Sequence, residues 1–304
     1  MNLRTFLTAI RWQNVSIIWM MQVIVFIWYV LPYCGNHSYS LYSFVLLLMV
    51  TGSVLAGGNI YNDIQDISAD SFHPRKPSLL VHKVTVKVAY RWYLYLNTLA
   101  IVLTLIGILK YKWSMLVVFL IGLALGSLYL YSRFMKSTLL AGNLLIAWLC
   151  ASAVWITTLL LPQCDLGTTI DLHSKSHVIL YGYMINAFLI TLLREIVKDK
   201  EDAQYDLQAN VYTIGSVSES KFRSIVNGLI AVIFGLNWIW FSYLETVLST
   251  QGMMIGVILI FTPLAFILVI FNRSKKPNLF RFLSQLIKIY VVVALLLLIL
   301  WQLF

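Results

Sequence analysis

The apolar residues of this chain neither alternate nor keep to one helical face; they run on without a break. Nine segments, at about 15–34, 41–61, 89–109, 113–132, 138–161, 178–197, 223–244, 252–272 and 283–303, are apolar all round. Each approaches or exceeds the ~20 residues that carry an α-helix across the ~30 Å of bilayer hydrocarbon. A backbone inside hydrocarbon must satisfy its own polar groups, which leaves helices and closed barrels, and runs of this length select helices. The pattern predicts an all-α, polytopic membrane protein with nine transmembrane helices, a single domain over residues 1–304. Its third and fourth spans are parted only by Lys110-Tyr111-Lys112, which forces a tight hairpin. The stretch Met1–Asn14 is too polar for a signal-peptide core, so the first apolar run reads as a retained span.

Composition agrees. Of 304 residues 60% are hydrophobic and 11% charged, where a soluble domain carries about 25% charged residues. The net charge of +10 is not a nucleic-acid signal, because the basic residues are spread over several loops instead of one groove. They bound topology instead. Arg4 and Arg11, then Arg75, Lys76, Lys83 and Lys87, then Arg133 and Lys136, and the clusters around Lys198–Arg223 and Arg273–Arg281 all fall on one side. The opposite side has Lys110, Lys112 and Lys175. Positive residues favour the cytoplasm. The N-terminus is therefore expected inside, in the plasma or inner membrane of the cell. Three cysteines and five histidines show no metal-ligand spacing, and no segment calls for an obligate protein partner.

Eight of the twelve acidic residues sit in two short clusters, each directly after a long apolar segment. The first is Asn62-Asp63-Ile64-Gln65-Asp66-Ile67-Ser68-Ala69-Asp70; the second runs from Arg194-Glu195 through Lys198-Asp199-Lys200-Glu201-Asp202 to Asp206. Both fall on the cytoplasmic side, four spans apart, as if two halves, about 1–135 and 136–304, each supplied one. Asn62, Asp66 and Asp70 recur every four residues, and Asp199, Asp202 and Asp206 at three and four, so each set lies on one helical face if the helix continues past the membrane. Stacked carboxylates repel unless a cation lies between them. Hard oxygen ligands with room for water favour Mg²⁺, which binds through few carboxylates plus substrate phosphates. The competing reading, solvated acidic loops balancing nearby lysines, accounts poorly for two clusters of matching period. Nearby cations, Arg75, Lys136, Arg194 and Lys198, suit a diphosphate, although a loop lysine by itself reads first as a topology anchor.

These residues resemble the signatures of the UbiA superfamily of intramembrane prenyltransferases. Asn62-Asp63-x-x-Asp66-x-x-x-Asp70 with Arg75-Lys76-Pro77 is similar to the first signature. Arg194-Glu195-Ile196-x-Lys198-Asp199-x-Glu201-Asp202-x-x-x-Asp206 with Tyr212-Thr213-Ile214-Gly215 is similar to the second. Tyr131–Lys136 with Gly142-Asn143 resembles the segment between spans four and five, and Arg11-Trp12-Gln13-Asn14 an N-terminal Arg-Pro-x-Asn pattern. Asn210 stands where a glycine is common, and it is a residue that tolerates the left-handed conformation. The resemblance implies a helical bundle around a central cavity with cytoplasmic cap loops. It implies two Mg²⁺ ions bound with a polyprenyl diphosphate: one on Asn62, Asp66 and Asp70, with Asp63 in the same signature, and one on Asp199, Asp202 and Asp206. Asp66, Asp70, Asp202, Asp206 and Lys136 would then carry catalysis. Arg11, Asn14, Arg75, Arg194, Lys198 and Tyr131 would bind substrate, and Tyr129 and Tyr131 are candidates for an aromatic wall that shelters a carbocation.

The second signature looks most like the branch of the digeranylgeranylglyceryl phosphate synthases, whose members transfer a geranylgeranyl group to geranylgeranylglyceryl phosphate. That acceptor is the first expectation, and an aromatic quinone precursor the alternative. A cation-coupled transporter or a lipid-binding membrane protein is the non-enzyme alternative. It would place ionisable residues near mid-span, whereas here they gather at span ends.

Overall fold

A computed structural model of the chain describes residues 3–31, 37–67, 84–135, 137–160, 175–245, 249–273 and 278–301. Among these residues there are ten α-helices and no strand. They are α1 (Leu3–Ala9), α2 (Trp12–Val25), α3 (His37–Gln65), α4 (Val86–Tyr111), α5 (Met115–Leu130), α6 (Ala141–Thr158), α7 (Lys175–Gln208), α8 (Glu219–Leu244), α9 (Thr250–Arg273) and α10 (Asn278–Leu300). Two π turns extend α2 and α5, at Phe26–Val30 and Tyr131–Met135. All but α1 provide segments long and apolar enough to cross a membrane, nine in all among the described residues. The all-α expectation and the nine spans hold. The departure is length: α3 reaches Gln65 and α7 reaches Gln208, each carrying its span onward into an acidic cluster. The hairpin at Lys110–Lys112 closes as a left-handed helix end, with Lys112 at φ 51° and the Trp113 N–H donating to Gly107 O at 3.1 Å.

By packing, the chain falls into two compact units. The first comprises Met1–Leu145, Ser152–Gly167 and Tyr205–Val211. Here α3 runs along α4 and also meets α2 and α5. Glycines let the helices approach: a Cβ on Gly52 would lie 2.5 Å from the Trp19 ring, and one on Gly58 2.7 Å from Leu128. Polar pairs replace the absent hydrophobic drive between helices in lipid. The Thr51 hydroxyl donates to the fully buried Gln22 at 2.8 Å, Trp19 Nε1 to Leu48 O at 2.8 Å, and Asn59 Nδ2 to Ile10 O at 3.0 Å.

The second unit comprises Ile146–Ala151, Thr168–Gln204 and Tyr212–Phe304. Asn186 of α7 and Asn237 of α8 exchange two amide hydrogen bonds, at 3.0 and 2.9 Å, and Asn237 is buried. Trp240 packs edge-on to Tyr183 and Trp301 and donates to Val178 O at 3.0 Å. Its indole occupies the space left by Gly182, where a Cβ would fall 1.9 Å from the ring.

Candidate active site

Lipid-facing helices seldom bury a carboxylate. Among the described residues four are buried, and all lie in the two acidic clusters: Asp66, Glu195, Asp202 and Asp206.

The first cluster is carried by the end of α3. The Asp66 N–H donates to Asn62 O at 2.9 Å, so the helical turn persists through Asp66 and sets both side chains one above the other. Asn62 Nδ2 donates to Asp66 Oδ2 at 2.7 Å. Asn62 Oδ1 is buried and accepts no hydrogen bond in the protein, which is a position a cation or a water on it would complete. Asp63 turns to a different partner: Arg11 Nη2 donates to Asp63 Oδ1 at 2.6 Å, with the two side chains 35% and 18% exposed. Arg11 sits at the break between α1 and α2 with φ 52°. Burial alone would weaken its hold on the proton, but Asp63, by charge and hydrogen bond, and then Asp66 and Tyr131 by charge, raise it instead. Arg11, Asp63, Asp66 and Tyr131 therefore share one electrostatic neighbourhood, and Asn14 is half-buried one turn into α2.

Tyr131 opens the π turn after α5, an interruption that is frequent at functional sites. Gly142 makes room for its ring, since a Cβ there would meet Tyr131 Cε2 and Met135 O at 3.0 Å. Tyr129 stacks on Tyr61 at 5.2 Å, and Tyr61 stacks on Tyr93 at 4.7 Å. These three rings, with Gly58, Asn97 and Leu128, line one crevice. Asp70, Arg75 and Lys136 lie outside the described residues.

The second cluster is carried by the last four turns of α7. Asp202 and Asp206 are buried and Asp199 half-buried on one helical face. Arg194 is paired with the adjacent Glu195, so the cation expected to meet substrate already holds a carboxylate; its buried Nε carries no partner. Lys198 is half-buried. The helix ends where Asn210 takes φ 57°, as expected of a residue standing in for glycine, and the Val211 N–H donates to Asp206 O at 2.8 Å. Tyr212–Val217 then forms a strap that returns beside α7. Gly215 lies on Asp199, where a Cβ would be 2.0 Å from its carbonyl oxygen.

The residues that sequence reading missed belong to this strap. Lys200 Nζ donates to Gly215 O at 3.1 Å, lies 3.3 Å from Glu219 and 4.9 Å from the Phe222 ring centre. Thr213 is 3% exposed and its hydroxyl has no partner. A signal existed: residues two apart on a helix point about 200° apart, so Lys198 and Lys200 cannot both serve one face. Among the described residues no three Asp, Glu, His or Cys side chains converge on an ion. The donor chemistry still fits Mg²⁺, because buried Asp66 and the open Asn62 Oδ1 are hard oxygens, and Mg²⁺ takes one or two carboxylates and completes its shell with water and phosphate.

Each carboxylate cluster has a cation beside it, Arg11 at the first and Arg194 at the second. The profile of the UbiA prenyltransferase family matches residues 20–292. The chain belongs to the UbiA prenyltransferase family. This UbiA protein is an integral membrane prenyltransferase, and its relatives sharpen the match. It is 25% identical over 254 residues to the digeranylgeranylglyceryl phosphate synthase of Sulfolobus acidocaldarius, 82% of each chain. It superposes with a TM-score of 0.69 and 20% identity on a solved structure from work on digeranylgeranylglyceryl phosphate synthase, over 98% of both chains. It also superposes with a TM-score of 0.59 and 13% identity on a UbiA homologue from Archaeoglobus fulgidus bound to GPP and Mg²⁺, over 97% of this chain and 99% of that one. The two structural likenesses show the fold.

Proposed function

We propose that this UbiA protein uses Mg²⁺ to transfer a polyprenyl group from an isoprenoid diphosphate to the hydroxyl of a geranylgeranylglyceryl phosphate-type ether-lipid precursor. The observation that carries the reading is that all four buried carboxylates among the described residues lie in the two acidic clusters. The curated relatives named digeranylgeranylglyceryl phosphate synthase support the acceptor, and the GPP- and Mg²⁺-bound homologue supports the donor and the metal.

In this reading Asn62, Asp66 and Asp70 serve one Mg²⁺, with Asp63 of the same signature held by Arg11, and Asp199, Asp202 and Asp206 a second, both bound with the diphosphate. When bound, Mg²⁺ neutralises the diphosphate and so assists its departure. The C1–O bond of the allylic diphosphate breaks, with the electron pair leaving on the diphosphate oxygen. The acceptor oxygen forms the new bond to C1, and the hydroxyl proton is lost to water. Lys136, Arg75, Arg194 and Lys198 hold the leaving group by charge and hydrogen bonding. Arg11 and Asn14 orient it, while Tyr131 walls the allylic carbon from water. The Lys/Arg bias supports an N-terminus and both clusters at the cytoplasmic face of the cell membrane.

The test is purified protein with geranylgeranyl diphosphate and Mg²⁺ against a panel of acceptors, read by mass spectrometry. Geranylgeranylglyceryl phosphate should give the doubly prenylated ether and free diphosphate, lost on chelation with EDTA. Transfer to an aromatic acid alone would overturn the ether-lipid assignment, and undiminished transfer in EDTA the metal.

A further inference from the structure

The strap that follows the second cluster is fixed more heavily than a loop connecting two helices requires. The chain leaves α7 at Gln208, and by Gly215 it is back beside Asp199. Thr213 stands two residues before Gly215 in this strap, whose contact with α7 is at the backbone of Asp199, one of the carboxylates of the second ladder. Lys200 fastens this arrangement. Its ammonium, 16% exposed as a side chain, bonds Gly215 O at 3.1 Å and reaches Val217 O at 3.5 Å and Glu219 Oε2 at 3.3 Å. Glu219 is held in turn by Arg223 Nε at 2.9 Å. The Lys200 charge is thus spent on the strap and on Glu219, the residue that opens α8, although it sits in the middle of the second signature. Within the strap Thr213 is extended, at φ −116° and ψ 175°, and its hydroxyl is buried without a partner. A buried hydroxyl left unsatisfied is destabilising, and its persistence calls for an explanation outside the protein's own hydrogen bonds.

We propose that Lys200 is a positioning residue for the donor site: it clamps the Tyr212–Val217 strap onto α7 so that the Thr213 hydroxyl donates to the diphosphate of the isoprenoid substrate. This rests on the prenyl-transfer reading above. Thr213 adds a neutral hydroxyl to a set made mostly of charges, and Lys200 acts only through the strap.

The experiment uses full-length protein in detergent with Lys200→Met, Lys200→Arg and Thr213→Val. Two quantities are read: stabilisation against heat by Mg²⁺ plus inorganic pyrophosphate, and the KM for isoprenoid diphosphate beside kcat. Lys200→Met should raise the donor KM about tenfold, the worth of a hydrogen bond to a charged group, and shrink the pyrophosphate-induced shift. At saturating donor kcat should stay within about threefold, and Lys200→Arg should restore most of the shift. Thr213→Val should leave the ligand-free protein as heat-stable as the wild type, or more so, because it removes an unsatisfied polar group, and still weaken the response to Mg²⁺–pyrophosphate. Should Lys200→Met fail to fold, Thr213→Val decides. An unaltered donor KM and an unaltered pyrophosphate shift in Thr213→Val overturn the proposal, as does a Lys200→Met that loses heat stability with donor KM unchanged. If the wild type neither responds to Mg²⁺–pyrophosphate nor releases diphosphate, the prenyl-transfer reading itself falls, an outcome distinct from wild-type activity with silent variants.

Discussion

The two acidic clusters look alike on paper and are built differently. The first depends on a distant partner: Asp63 is held by Arg11, 52 residues earlier, while Asn62 and Asp66 hold one another. The second is assembled from its own neighbourhood. Arg194 pairs with the next residue, and Lys200 reaches 15 residues ahead to fasten the strap. An amide and a carboxylate form the visible rung of the first ladder, and three carboxylates the second. The first is therefore sensitive to the joint between α1 and α2, the second to the packing of a single strap. Similar chemistry can be supported by long-range closure or by local folding, and the two should fail in different ways.

The sharpest way to break the comparison is to remove one carboxylate from each ladder. Asp66→Ala and Asp202→Ala should each lower prenyl transfer by on the order of 10²–10³-fold or more, the scale of losing a charge-stabilising group. Heat stability and membrane insertion should persist. Full Mg²⁺-dependent activity in either variant would sink the role of that ladder.

A smaller effect separates the packing of the two regions. Gly215→Ala pushes a methyl to 2.0 Å from the Asp199 carbonyl, a backbone atom that cannot step aside; Gly58→Ala meets Leu128 Cδ1 at 2.7 Å, the end of a side chain that can rotate. Overpacking costs about 1–3 kcal/mol, so Gly215→Ala should unfold at a lower temperature than Gly58→Ala and lose donor binding with it. Equal behaviour would mean that the strap is no tighter than the α3–α5 contact.

The smallest effect concerns the joint of the first cluster. Arg11 combines an ion pair with a left-handed backbone. Arg11→Ala loses the pair and keeps the strain, whereas Arg11→Gly loses the pair and relieves it. Arg11→Gly should be more heat-stable by about 1 kcal/mol, with both variants weaker in donor binding. The pair itself, being partly exposed, should contribute no more than about 1 kcal/mol.

Much of this was legible in the residues. Unbroken apolar runs of this length read as spans, and four-residue spacing by itself sets Asn62 above Asp66. Asn210 was readable as a left-handed stop because few residues other than glycine accept that conformation. What escaped reading depends on contacts between distant positions. No local pattern says that Asp63, in the middle of a ligand signature, faces Arg11, or that Lys200 and not Lys198 turns toward the strap. Nor does any local pattern say that Tyr129, a candidate for an aromatic wall, stacks in one crevice with Tyr61 and Tyr93. Aromatic residues read alike from sequence whichever neighbour they meet.

The length of α7 has a consequence for which molecules are recognised. Thirty-four residues make a rod of about 50 Å, against ~30 Å of hydrocarbon, so roughly 20 Å of rigid helix is left over for the headgroup layer and the water beyond it. Between Glu195 and Asp206 the carboxylates climb that surplus as graduations of about 16 Å. A lipid anchored by its tail can present its phosphates only at certain heights on such a scale.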